Sequence, residues 1–214
     1  MPAKELQVVT YNLSHLTQPD PQRVIGPIQD DEALLLFALI RVLRIGRVLE
    51  LGFLDGYSAV NFLRAVGPSG SVYSCDIGRV PKLTENHFPI CKSAADITAA
   101  DLGNSPVELL FFDCHDLDAQ LVCFDRLRAS GVVTDSTILV LHDTGTHPGK
   151  LHRKDYKVGP AEFVHQPVER AMVNRFAEMG YSPLCLHIDP SKCSKDLPFR
   201  HGITIMSRFS PLKL

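Results

Sequence analysis

The chain has 214 residues, of which 45% are hydrophobic, and a formal net charge of −2. With a pI near 6.5 and its Lys and Arg residues scattered, it offers no bulk electrostatic case for nucleic acid or an anionic membrane. No apolar run reaches the roughly 18 residues needed to cross a bilayer. The size suits one compact domain, 1–214.

The N-terminus carries Lys4 and Glu5 and no apolar core, so it does not read as a secretory signal. The six cysteines contain no CxxC pair. Those in apolar runs, such as Cys75, Cys91 and Cys185, are expected to be buried free thiols. Together these features point to the cytoplasm.

In chain order, residues 1–30 are rich in Pro, Gln and Asp and read as irregular. Asp30, Asp31 and Glu32 then open a helix over 33–45, with carboxylates where the helix dipole favours them. A strand at 47–51 leads through a loop at 52–56 into a helix at 57–66, which Gly67-Pro68 ends. Strands follow at 71–75 and around 89–91, then a continuous apolar run at 107–112 that suits a fully buried parallel strand. A helix at 117–129 and a buried strand at 137–141 come next. Residues 144–165 lack periodicity and read as a loop over the substrate, carrying Tyr156, Phe163 and His165.

Pro167 starts a helix running to Met179, whose Val168, Met172 and Phe176 read as core. Two closing strands, 183–188 and 202–207, have no room for a crossover helix between them. The expectation is an α/β fold: a doubly wound, mostly parallel seven-stranded Rossmann-like sheet with an antiparallel C-terminal hairpin.

Chemistry concentrates at strand ends. The first strand runs into Gly52-Phe53-Leu54-Asp55-Gly56-Tyr57-Ser58, where glycines permit a tight turn and a close approach of backbone to ligand. The helix that follows offers unpaired N–H groups to an anion. Asp76 ends the second strand, a position that can accept ribose hydroxyls in such folds. There is no Gly-Lys-Ser/Thr for a Walker loop and no Gly-x-Gly-x-x-Gly for a dinucleotide.

Two acidic strand ends, Asp113-Cys114-His115-Asp116 and His142-Asp143-Thr144, should emerge at the same edge. Asp113 and Asp143 could share Mg²⁺, with Thr144 or water completing the oxygens and a substrate hydroxyl acidified there. His115, His142 and Asp143 are the candidate catalytic residues, since a histidine titrates near neutrality. The spacing of His142, His147 and His152 lacks the pattern of a zinc site.

The stretch Val48-Leu49-Glu50-Leu51-Gly52-x-x-x-Gly56-Tyr57-Ser58, followed by Val72-Tyr73-Ser74-Cys75-Asp76, resembles the first two motifs of class I S-adenosylmethionine-dependent methyltransferases. Its Gly-Tyr-Ser ending is most similar to the catechol and caffeoyl-CoA O-methyltransferases and to the cephalosporin-hydroxylase-like, antibiotic-tailoring branch. The resemblance runs over about residues 28–207 in the order of elements.

It implies that Glu50, Gly52 and Gly56 line the methionine part of the cofactor, that Ser58 meets its carboxylate and that Asp76 holds the ribose. Ser93 and Ala94 would stand near the adenine. Phe53, Tyr57 and Asp113 complete the implied cofactor-binding set. The metal-dependent catechol-type enzymes carry Asp-x-x-Lys and Asp-Asn where this chain has Asp113 to Asp116 and Asp143-Thr144. The lysine base is therefore missing, and His115 or His142 would replace it.

The implied activity is methyl transfer to a small-molecule hydroxyl, in natural product biosynthesis, with no nucleic acid or membrane partner. Two rivals remain: different oxygen chemistry of the cephalosporin-hydroxylase kind, and a non-catalytic cofactor-binding subunit. Oligomeric state is open, a homodimer being the common outcome.

Overall fold

The computed structural model describes residues 28, 30–145, 156–157, 163–164, 168–186 and 202–208. The irregular segment expected at 1–30 and most of the loop expected at 144–165 lie outside them, as do His147, His152 and His165.

The elements are α1 (Asp30–Leu43), β1 (Arg47–Leu51), α2 (Tyr57–Val66), β2 (Ser71–Asp76), β3 (His87–Cys91), β4 (Leu109–Phe112), α3 (Leu117–Ala129) and β5 (Ile138–Leu141). There follow β6 (Tyr156–Lys157), β7 (Phe163–Val164), α4 (Val168–Glu178), β8 (Ser182–Leu186) and β9 (Ile203–Ser207). The strands β6 and β7 form a two-residue antiparallel ladder where the sequence suggested only loop.

The main sheet has the order β3-β2-β1-β4-β5-β9-β8. Its first five strands are parallel, and β9 and β8 run antiparallel at the far side. The chain winds outward from β1 in one direction and then from β4 in the other. The expected doubly wound sheet with its antiparallel closing hairpin is what the chain forms, β9 lying between β5 and β8.

Alternation along buried strands divides the core in two. Val48, Val72, Leu109, Phe111 and Val140 meet Leu36, Ile40, Phe62 and Val66 of α1 and α2. Leu49, Tyr73, Leu110, Phe112 and Leu141 meet Phe124 and Leu127 of α3, with Met172 and Phe176 of α4. Successive strand residues point to opposite faces, so an unbroken apolar run feeds both layers. The core reading of Val168, Met172 and Phe176 holds, all three being fully buried.

The thiols need one correction. Cys75 and Cys123 are buried, but Cys91 and Cys185 are exposed. Both exposed residues lie on the outermost strands, β3 and β8, where one side of the ladder has no neighbour among the described residues. No helix among the described residues is long and apolar enough to cross a membrane.

Candidate cofactor and catalytic site

The turn after β1 is built on two glycines. Gly52 sits at φ +101°, and a Cβ there would stand 2.3 Å from the Asp113 carbonyl oxygen. That contact seats the loop directly on the end of β4. Gly52→Ala combines positive-φ strain with backbone overlap, each costing roughly 1–3 kcal/mol. We expect the melting temperature to fall by about 4–24 °C at a few degrees per kcal/mol. A thermal scan showing no shift would mean the loop can lift off β4 freely.

Gly56, at φ +78°, caps α2 without any side-chain hydrogen bond. The positive end of the α2 dipole and its first-turn N–H groups therefore face the loop. Phe53 is buried, packs with Ala59 and Val80, and stacks on His87 at 5.9 Å. Its ring is thus part of the loop's own support, and a Cβ on Gly56 would strike it.

Glu50 is fully buried beneath this loop. The Ser58 hydroxyl donates to its Oε1, whereas Oε2 has no hydrogen-bond partner among the described residues. Burial pushes the Glu50 pKa up to about 8, against the pull of the Ser58 and Ser74 hydroxyls, with Asp113 and Asp76 adding to the rise. A buried carboxyl with an orphaned oxygen invites a cationic partner. The α2 terminus beside it, capped by Gly56 without a side chain, invites an anion. An amino-acid zwitterion satisfies both, so the residues fit the methionine end of S-adenosylmethionine.

Asp76, at the end of β2, accepts backbone N–H groups from Phe53 at 3.0 Å, Leu54 at 3.2 Å and Gly78 at 2.8 Å. Three of a carboxylate's roughly four acceptor positions are thereby filled. A ribose diol meeting Asp76 would displace a loop amide. Ser93 and Ala94 follow β3, whose Cys91 pairs in register with Asp76. There Ser93 caps a short 3₁₀ turn by accepting from Ala95 N–H.

The two acidic strand ends do converge. Atoms of Asp113, His142 and Asp143 lie within 4.8 Å of one another. His142 Nδ1 is 3.0 Å from Asp113 Oδ1, and Nε2 is 3.1 Å from Glu32 Oε2 on α1. Carboxyl groups facing both ring nitrogens favour the doubly protonated, charged ring. Burial alone would lower its pKa, but the charges of Asp143 and Asp113 and bonds to Asp113 and Glu32 hold it well above the usual value. Asp113 is raised by burial, against the opposing pull of His142 and His115. A ring held in this way is disfavoured as an acceptor of a substrate proton.

His115 is differently placed. Its backbone adopts φ +54°, and its N–H and Nδ1 meet the two oxygens of Glu169 at 3.0 and 3.2 Å. Glu169 is fully buried on α4 and also accepts from Gln120 Nε2. The His115 Nε2 lies 3.5 Å from Asp113 Oδ1. One carboxylate thus fixes the ring while its other nitrogen faces the strand-end cluster.

The cluster does not fit Mg²⁺, which takes oxygen donors in near-octahedral array. The third donor is an imidazole held by carboxylates on both sides. The Thr144 hydroxyl is engaged with that of Thr204 at 2.8 Å. Sequence reasoning found both aspartates but missed Glu32, Glu169 and His87. The only signal for Glu32 was a carboxylate in the first turn of α1.

The strand order and the helices on both faces make this a Rossmann-like α/β fold, and its solved neighbours include S-adenosylmethionine-dependent methyltransferases. No protein-family model matches the chain, and no curated protein does. Among solved structures it is similar to the O-methyltransferase TomG from Streptomyces achromogenes, involved in tomaymycin synthesis and solved with SAM. That likeness has a TM-score of 0.57 at 17% identity and covers 94% of this chain and 92% of that one. Cofactor-bound Rv0187 from MTB has a TM-score of 0.57 at 16% identity, over 92% and 87% of the two chains. The SAH-bound methyltransferase PaMTH1 of Podospora anserina has 0.53 at 14%, over 91% and 85%. At these identities the likeness is one of fold.

Proposed function

We propose that the chain binds S-adenosylmethionine at the β1 and β2 strand ends and transfers its methyl group to a hydroxyl of a small molecule. The observation that carries this reading is the Glu50 oxygen with no hydrogen-bond partner among the described residues, beside the start of α2 that Gly56 caps with backbone only. The similarity of fold to SAM-bound TomG supports it and favours an acceptor of natural-product type.

When bound, the cofactor supplies an electrophilic methyl on a sulfonium. The chain then has to align donor and acceptor, and alignment alone can contribute a large share of the rate. Glu50 and the α2 terminus would hold the amino-acid end, and Asp76 the ribose. As the acceptor oxygen gains the methyl and the carbon–sulfur bond breaks, His115 Nε2 would receive the hydroxyl proton. Glu169 keeps that ring oriented. No step needs Mg²⁺.

Calorimetric titration of S-adenosylhomocysteine into wild type and Asp76→Ala, with and without Mg²⁺, tests the reading. Micromolar binding that the substitution removes and Mg²⁺ leaves unchanged is the expected result. Absence of binding to wild type would sink it. A product heavier by one methylene then separates methylation from hydroxylation.

A further inference from the structure

Glu50 does not stand alone under the loop. It pairs in register with Ser74 on β2, so both side chains share the face toward α1 and α2. Ser74 Oγ lies 3.0 Å from Nε2 of His87 on β3. All three residues are fully buried. They step across three adjacent strands, from the sheet's outer edge to the cofactor loop.

The proton positions on this line follow from one backbone bond. Leu83 N–H lies 3.1 Å from His87 Nδ1, and an amide can only donate. Nδ1 is therefore the acceptor. Burial, with Lys82 nearby, lowers the His87 pKa and keeps the ring neutral. The single ring proton then sits on Nε2 and is given to Ser74 Oγ. With an acceptor position filled by the histidine, the Ser74 hydroxyl is left to donate onward.

On that side is the Glu50 carboxyl, whose pKa the Ser74 hydroxyl draws down. Oε2 has no hydrogen-bond partner among the described residues, so the Ser74 hydroxyl stands beside the carboxyl without closing off that oxygen. Ser58 of α2 secures the other oxygen. A carboxyl held at Oε1 and left open at Oε2 keeps one oxygen for an incoming donor. The stack of Phe53 on His87 ties the same histidine to the loop above.

We infer that His87 and Ser74 are positioning residues for Glu50, setting its carboxyl for the ammonium of the methyl donor's amino-acid end. The inference rests on the cofactor reading above. It extends the site by two residues on neighbouring strands, one of them on the sheet's edge.

The test compares two ligands by calorimetry: S-adenosylhomocysteine and 5′-methylthioadenosine, the same nucleoside thioether without the amino-acid end. Ser74→Ala and His87→Phe (which keeps the ring stack) should each weaken S-adenosylhomocysteine about five- to tenfold, the loss of a polar neighbour that sets the carboxyl. Methylthioadenosine should change by less than about twofold, because it lacks the group that Glu50 receives. His87→Gln, which can still donate to Ser74, should recover most of the loss.

Equal weakening of both ligands would reduce the pair to a structural role and overturn the inference. So would unchanged affinity for both. Wild type that binds neither ligand refutes the cofactor reading itself, whereas binding of both with no selective loss refutes only the relay. If His87→Phe does not fold, Ser74→Ala decides the matter alone.

Discussion

Ligand-free protein should lose stability steadily as the pH rises from about 5 to about 8, and Glu50→Gln should remove most of that loss. The Glu50 pKa stands at about 8 in the folded chain against an ordinary 4.5. Below pH 4.5 the carboxyl is protonated in both states, and no penalty exists. Between the two values the unfolded chain releases a proton that the folded chain retains, so each pH unit costs up to about 1.4 kcal/mol. Across the window the loss is roughly 4–5 kcal/mol.

Urea denaturation of wild type and Glu50→Gln at pH 5.5 and 8 isolates the contribution, since other groups titrate alike in both. Curves that keep the same separation at both pH values would show that Glu50 does not hold its proton in the fold.

The same substitution should also weaken S-adenosylhomocysteine, although it stabilises the empty protein at pH 8. An ammonium reaching Oε2 favours the charged carboxylate and expels the proton. Affinity should therefore climb between pH 6 and 8 in wild type and stay flat in Glu50→Gln. Stability given up at a binding site is a common cost of function.

Much of this was legible because the strands near the middle of the sheet are short, apolar and sharply punctuated. Gly56 and Gly67 bracket α2, and Asp116 caps α3 through Ala119 N–H, so both helices fall where the sequence puts them. The third strand was harder. His87, Pro89 and Cys91 do not form an apolar run, because β3 is an edge strand with half-exposed positions.

Edge position also explains the exposed thiols, since strand order is a property of topology and leaves no local trace. At the site, the acidic ends of β4 and β5 were visible as residues, but their partners were not. Glu32 lies 110 positions from His142, and Glu169 lies 54 from His115. In helix sequence both look like ordinary surface carboxylates. Only the winding of α1 and α4 over the sheet brings them to the histidines.

Removal of His142 should do the most damage of any single change in this region. The imidazolium faces Asp113 at 3.0 Å, Glu32 at 3.1 Å and Asp143 at 3.6 Å. His142→Ala would leave Asp113, Glu32 and Asp143 gathered in a nearly dry space without the cation that all three face. Breaking a buried pair by deleting one partner costs about 3–5 kcal/mol. The melting temperature should accordingly drop by roughly 6–20 °C.

The sign with pH also follows. A folded pKa held above the ordinary 6.5 means the contribution is whole below that value and disappears as pH rises through the folded pKa. The gap between wild type and variant should therefore be widest in mildly acidic buffer and narrow in strongly alkaline buffer. Millimolar Mg²⁺ should leave wild type unmoved, because the histidine proton already supplies the positive charge at the strand ends. A wild-type melting temperature that rises with Mg²⁺, or a variant that loses less than about 1 kcal/mol, would mean that the cluster is neutralised in some other way.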